Sequence, residues 1–427
     1  MLNAATDVAR QWSFPPGTIY LNHGSFGPSP RVVQEVREEL QRRLEAQPMD
    51  FFLRQLPPLL IEARARLAEF VGAEAGNLVF VDNATVGMNV VAASVELRPG
   101  DEVLCNDHEY GAMLRIWERK CQAAGAKLVV QRLPYPLQTT EELIESVLAA
   151  ASDRTRLLVF SHITSPTAII FPAAELCRRA SQLGIPVCID GPHAVAMLPL
   201  DLESLGCDFY TASCHKWLSA PFGSGFLYIH PRRQETVRPA IISWGRTLDG
   251  DEPSWRDEFH WLGTRDTTAW LTVPAAIDFL ENFGVERFRR ETRELAHYAR
   301  QRIEELVRDL DASGTADFVP LVPDVGHVDV GHVSKRAPAP EEPSVGHVWK
   351  RAPLTSDPAW YGSMTAVPLP AGECEPLQRA LWEKHGIEVP IVDHGGRRLI
   401  RVSCHLYNTA RQIDHLLDAL DAELSVD

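Results

Sequence analysis

The chain has 427 residues, of which 45% are hydrophobic and 23% charged; this excludes a wholly disordered chain and is too much for one hydrophobic core. Its 57 acidic residues against 42 basic ones give a formal net charge of −15, which argues against nucleic acid or an anionic membrane as the main partner. No apolar run reaches the roughly 18 residues of a transmembrane helix, and the opening MLNAATDVARQW lacks the basic and apolar regions of a signal peptide. The eight cysteines (105, 121, 177, 188, 207, 214, 374 and 404) stand scattered without a CxxC pair, the pattern of reduced thiols in a cytoplasm.

In chain order, residues 1–20 read as an N-terminal arm. Residues 31–47, RVVQEVREELQRRLEAQ, place Val32, Val33, Val36, Leu40 and Leu44 on one face of an amphipathic helix. From residue 78 short apolar runs recur: LVFV, EVLCN, KLVVQRL, LLVFSHI, PVCID, FYTASC and GFLYI. Helical segments such as TEELIESVLAAA and AAELCRRASQLG separate most of them, which predicts an α/β domain with a mostly parallel sheet. Residues 271–310 read as a long helix with a break. It leads from a large domain over 21–275 into a smaller C-terminal one over 276–427. Between 325 and 353, VGHV occurs three times and KRAP twice in a Pro-rich stretch, expected to be a poorly ordered insertion. Its His327, His332 and His347 lack the further ligands that a zinc site needs.

Ligands of parallel sheets bind beyond the carboxyl ends of the strands. Four polar groups stand there: Asn83–Thr85, His162, Asp190 and His215–Lys216. The lysine lies in TASCHKWLSAPFGSGFLYI, Thr211 to Ile229, whose surroundings read as interior. Burial lowers a lysine's pKa, and the neutral amine can form a Schiff base with an aldehyde. Pyridoxal phosphate uses that bond. It also needs a carboxylate at its ring nitrogen, donors for its phosphate and a flat group on its face. Asp190 supplies the first. The helix start around Thr85 supplies the second, since helix N-termini bind phosphate, and Ser213 and His215 flank the lysine. His193 and Tyr110 are flat or polar groups near strand ends. Taken singly each has an ordinary reading: a strand-end Asp is usually a cap, a loop Lys usually solvated.

The ordered set resembles a known family. YLNHGSFGPSP (20–30), NATVGMN (83–89), DHEYGAM (107–113), SHITSPTA (161–168), DGPHA (190–194), SCHKW (213–217), WLGTRD (261–266) and RVSCHLYNT (401–409) are similar to motifs of the class V aminotransferases. These are fold-type I pyridoxal-phosphate enzymes, and the likeness is nearest to the isopenicillin N epimerase-like branch. The resemblance implies a large domain with a mostly parallel seven-stranded sheet, a small α+β C-terminal domain, and a homodimer with shared active sites. It makes Lys216 the covalent anchor of the cofactor and the base at the substrate Cα, and pairs Asp190 with the ring nitrogen. His193 lies near the phenolic oxygen. Ala84, Thr85, Ser213 and His215 hold the phosphate, joined by Thr264 from the neighbouring subunit, and Ser165 borders the cofactor. Tyr110 stacks on the ring, with His108 as its rival. Arg401 binds the substrate carboxylate, and Asn22 and His23 line the same pocket. Arg397 and Arg398 read as surface arginines, and Trp217 as packing.

Between Pro390 and Arg401, where cysteine desulfurases carry a reactive cysteine, this chain reads IVDHGGRRLI. Cys374 lies earlier, in GECEPLQRAL, and Cys214 reads as a packed strand-end thiol. Sulfur transfer through a persulfide is therefore disfavoured. The expected function is deprotonation of an amino acid at Cα, ending in C–S β-elimination or epimerisation, with transamination and a desulfurase-like activity as alternatives. A non-catalytic binding protein of this fold is the competing class. It would not need the lysine, aspartate and arginine together, and all three are present.

Overall fold

The computed structural model describes residues 8–249, 251–311, 319–322 and 360–425. The repeat segment 325–353, with His327, His332 and His347, lies outside the described residues. The strands are β1 (Ile19–Tyr20), β2 (Leu78–Val81), β3 (Glu102–Asn106), β4 (Lys127–Gln131), β5 (Thr155–Ser161), β6 (Val187–Asp190), β7 (Phe209–Ser213) and β8 (Gly225–Ile229). They continue with β9 (Met364–Pro368), β10 (Ile387–Glu388), β11 (Ile391–His394) and β12 (Arg397–Ser403).

The main sheet has seven strands in the order β2-β8-β7-β6-β5-β3-β4. Helices cross over between its parallel strands and cover both faces. Its inner strands are therefore buried on both sides over most of their length, and their middles read as apolar runs with polar residues at the ends. The edge strand β4 is half exposed and reads less apolar. The exception to parallel order is β8, antiparallel to both β7 and β2. The chain must reverse after β7 to enter β8, at the edge where β5, β6 and β7 also end. That reversal, Cys214 to Ser224, carries Lys216.

A second sheet, order β11-β12-β9, is antiparallel and packs with the helix Val285–Asp311 around Ile303, Val367, Ile400 and Leu416. Gly395 and Gly396, at φ 60° and 78°, turn β11 into β12; two successive positive φ values suit a tight hairpin and favour glycine. The expected break in the long helix falls at Gly284, φ 99°, between Val273–Phe283 and Val285–Asp311. β1 pairs in parallel with β10, and Asn22 bridges to Ser403. The stretch after the arm thus lies beside β12 and Arg401.

Two sequence expectations need correction. In the helix Arg31–Ala46, Val33, Leu40 and Leu44 are buried, but Val32 and Val36 are each 40% exposed. The contact stripe is narrower than the apolar face. Arg398 is no surface arginine: it is buried and donates to the carbonyls of Pro370, Glu373 and Ala371. Arg397 lies 3.6 Å above the Tyr135 ring.

Candidate active site

β5 and β6 end in register, Ser161 opposite Asp190, and β7 runs two residues past Thr211, the partner of Asp190, so side chains just past those ends converge. Ser219 closes the lysine turn by donating its amide to the Lys216 carbonyl at 2.8 Å, and accepts φ 57° to do so. Burial pulls the Lys216 ammonium down to about 7; Arg401 pushes the same way and Asp190 opposes it. Burial also pushes the Asp190 carboxyl up to about 6, against the pull of Lys216. Among the described residues no protein group donates to the Asp190 carboxylate.

Lys216 Nζ lies 3.0 Å from His193 Nε2, and Trp217 Nε1 donates to His193 Nδ1 at 3.3 Å. Trp217 does pack in the core, yet its N–H also has a polar partner in the site, which the packing role alone does not describe. Burial, Lys216 and Arg401 together hold His193 well below the usual histidine range, hence neutral.

At the start of the helix Ala84–Ser94, Asn83 caps by accepting from the Val86 amide at 3.0 Å. The Ala84 amide donates to Ser213 Oγ at 3.0 Å. The Thr85 amide has no protein acceptor among the described residues, and the Thr85 side chain is exposed. His215 Nδ1 is buried without a partner. A free amide at the positive end of a helix, a serine hydroxyl free to donate and an unpartnered imidazole nitrogen suit a phosphate.

Arg401 is buried. Its Nη1 donates to the Ser165 carbonyl at 2.6 Å and to Ser165 Oγ at 3.2 Å. Its Nη2 donates to Ser25 Oγ at 2.5 Å and to Asn22 Oδ1 at 3.4 Å, while Nε has no partner. Every acceptor is neutral, and no carboxylate pairs with this guanidinium among the described residues. Desolvation lowers it to about 10. A buried cation without a counter-ion is costly, and an incoming carboxylate relieves that cost. Ser165 thus meets Arg401, although the resemblance placed it against the cofactor.

The other expected residues divide. Tyr110, at the start of the helix Gly111–Ala124, is 50% exposed, and among the described residues no side-chain hydrogen bond holds its ring. His108 is buried, with Nδ1 2.9 Å from Thr167 Oγ1 and its ring against His394. Asn22 stands at the arginine. His23 is fully buried and commits both ring nitrogens elsewhere, Nδ1 to the Tyr407 hydroxyl at 2.8 Å and Nε2 to the Lys216 carbonyl at 3.0 Å. Thr264 is exposed and joins none of these bonds; its neighbour Arg265 pairs with Asp82 beside the helix start. His162 is buried with Nδ1 3.0 Å from the Tyr210 hydroxyl, and its amide donates to the Asp190 carbonyl at 2.9 Å.

Several site residues were not singled out in the sequence. Ser25 sits inside YLNHGSFGPSP and Tyr407 inside RVSCHLYNT, so the motifs held them, but only contact assigns them partners. Glu109 is buried and accepts from the Ser161 amide at 3.1 Å, from Ser161 Oγ at 2.5 Å and from Asn106. Burial pushes its carboxyl up to about 8.

The residues fit pyridoxal phosphate on these observations: a neutral amine, an unpartnered carboxylate, an unpartnered phosphate-type cradle and a free ring. Residues 27–315 match the family model "Aminotransferase class-V". The chain is 38% identical to isopenicillin N epimerase of Amycolatopsis lactamdurans, covering 98% of each chain. It is 36% identical to isopenicillin N epimerase of Streptomyces clavuligerus, covering 95% of each. The fold is similar to the solved cysteine desulfurase CsdA of Escherichia coli, TM-score 0.74 over 99% of this chain and 98% of that one, at 21% identity. The chain belongs to the class-V aminotransferase family and is a pyridoxal-phosphate-dependent enzyme.

Proposed function

We propose that this enzyme removes the α-proton of an amino acid whose α-carboxylate is held by Arg401, and that a solvent-derived proton delivered to the opposite face of Cα gives the epimer. The observation that carries this is the buried, counter-ion-free guanidinium of Arg401 in electrostatic contact with a lysine whose ammonium is pulled down to about 7. Pyridoxal phosphate, when bound, supplies the sink for the electron pair left at Cα. Lys216 Nζ anchors the cofactor and later takes the α-proton. Asp190 holds the proton of the ring nitrogen. The Thr85 amide, Ser213 and His215 hold the phosphate, and Tyr110 covers the ring. Asn22, Ser25 and Ser165 orient Arg401, which fixes the direction of the Cα–H bond.

Epimerisation is favoured by the two relatives of that name, which match this chain nearly end to end. C–S β-elimination is the second reading. It is supported by a putative L-cysteine desulfhydrase of Oryza sativa subsp. japonica, 32% identical over 65% of this chain. The residues disfavour persulfide transfer: the hairpin of β11 and β12 carries no cysteine, and every cysteine but Cys374 is buried.

We further propose a homodimer that places Thr264 at the partner's phosphate site. Ile241, Ile242 and Trp244 form an exposed apolar run, the last two 83% and 94% exposed, which a second copy would cover. The eight free cysteines support a reducing compartment such as the cytoplasm. Among the described residues no helix is long and apolar enough to cross a membrane.

The test is incubation of the loaded enzyme with a panel of amino acids in D2O. Deuterium at Cα with appearance of the opposite enantiomer supports epimerisation, while pyruvate release supports elimination. No α-deuterium in any substrate overturns the proposal.

A further inference from the structure

We propose that Trp217 is a positioning residue that fixes the tautomer of His193, so that His193 presents an Nε2–H to the reacting end of Lys216. Donors and acceptors alone fix the arrangement. An indole nitrogen can donate but not accept. Trp217 Nε1 lies 3.3 Å from His193 Nδ1, so Nδ1 must be the acceptor and carries no hydrogen. A neutral imidazole has one N–H, which then sits on Nε2. Nε2 lies 3.0 Å from Lys216 Nζ, so the lysine accepts and is the neutral amine.

The alternative arrangement fails. An ammonium donating to Nε2 would force the hydrogen onto Nδ1, where it would face the indole N–H in a buried site. Turning the ring over does not help, because carbon atoms would replace nitrogen at both contacts. The ring is also held in place. A Cβ added at Gly24 would lie 3.4 Å from His193 Cε1, and only 2.8 Å from both Met364 Sδ and Ser403 Oγ. Trp217 is 1% exposed, between Lys216 and the rings of His23 and His405. Arg401, and Lys216 whenever it is protonated, repel a second proton on His193.

His193 therefore cannot act as the base that strips Lys216. It remains a donor to whatever atom occupies the position of Nζ. The tautomer stands on geometry alone. Its catalytic meaning rests on the reading of Lys216 as cofactor anchor and base.

The experiment uses full-length protein labelled with 15N-histidine, with the cofactor bound and after its removal. The His193 signal is identified by its loss in His193→Gln. In wild type it should report one neutral tautomer, protonated at Nε2, from about pH 8 to about pH 9, where Lys216 is the neutral amine. Trp217→Phe keeps most of the ring bulk and removes the N–H. There the Nδ1–H tautomer should appear, and the pH midpoint of the cofactor's visible band should move by about half a unit or more. A wild-type His193 protonated at Nδ1, or at both nitrogens, overturns the proposal. A Trp217→Phe protein with an unchanged tautomer and midpoint overturns the role of Trp217. If that variant does not fold, the wild-type spectrum still decides the tautomer. Borohydride reduction gives the independent check on the anchor: label on another lysine sinks that reading and leaves the tautomer result standing.

Discussion

The Lys216 carbonyl accepts from His23 Nε2 at 3.0 Å. A carbonyl cannot donate, so the hydrogen is on Nε2, and the Tyr407 hydroxyl donates to Nδ1 at 2.8 Å. Through one imidazole the lysine turn is tied to the stretch after the arm and to the C-terminal segment. His23→Ala leaves the buried Tyr407 hydroxyl without its partner and the Lys216 carbonyl with the Ser219 amide alone. It should cost about 1–3 kcal/mol of stability and weaken cofactor retention. Thermal melts and dialysis of the loaded protein check this; an unchanged Tm would show that the tie is not stabilising.

Lys216 should capture the cofactor in its neutral form. Because its ammonium is pulled down to about 7, the capture rate of cofactor-free protein should rise with pH up to that point and then level off. An ordinary lysine would keep gaining toward its usual 10.5. Growth of the visible band after mixing, followed across pH, measures this. A rate still climbing at pH 9, corrected for the cofactor's own ionisation, would contradict a depressed pKa.

Asp190→Asn should lower kcat by about 10²-fold or more, the scale of one strong electrostatic contact. Its effect on the cofactor-free protein should be opposite. The Asp190 carboxyl lies above its usual value at about 6, so the fold favours its neutral form. That stabilisation is full below the unfolded value and is lost as pH rises through about 6. Above pH 6 the neutral amide removes a burden, and the variant should melt no lower than wild type. Near-normal turnover would move the ring-nitrogen contact elsewhere.

Arg401→Lys should lose about 10²-fold or more in kcat/KM, since an ammonium cannot reproduce the fork that a carboxylate fits. Arg397→Lys should cost little. Arg398→Lys should lower Tm by several degrees, through lost donors to three carbonyls, while the folded fraction keeps its kcat/KM. Kinetics normalised to cofactor occupancy, beside melts of all three, separate these outcomes. Full activity in Arg401→Lys would put the carboxylate site on another residue.

Glu109 keeps its proton to about pH 8, so its stabilising contribution is lost as pH rises through that value. Glu109→Gln has the same shape and can accept from Asn106 and the Ser161 amide while donating to Ser161 Oγ. It should match wild type near neutrality and gain on it by about 1 kcal/mol at pH 9. Denaturant unfolding at both pH values tests this. Marked destabilisation near neutrality would mean the group is ionised in the fold.

What the sequence determined by itself is local. Apolar runs separated by helical segments specify a parallel sheet, because strand and helix periods are short-range patterns. The turn after FYTASC, the strand-end Asp190 and the cap before Thr85 follow from the same runs, since each marks where a run stops. Tertiary structure decided the partners. Arg401 meets Ser25 and Ser165 across 376 and 236 residues of chain, a pairing no window could contain. Burial of Arg398 depends on the carbonyls of a turn that folds over it, and exposure of Val32 and Val36 on which side of their helix meets the core. The polar role of Trp217 follows from a single N–H reaching His193, and a hydrogen bond is set by position and direction together.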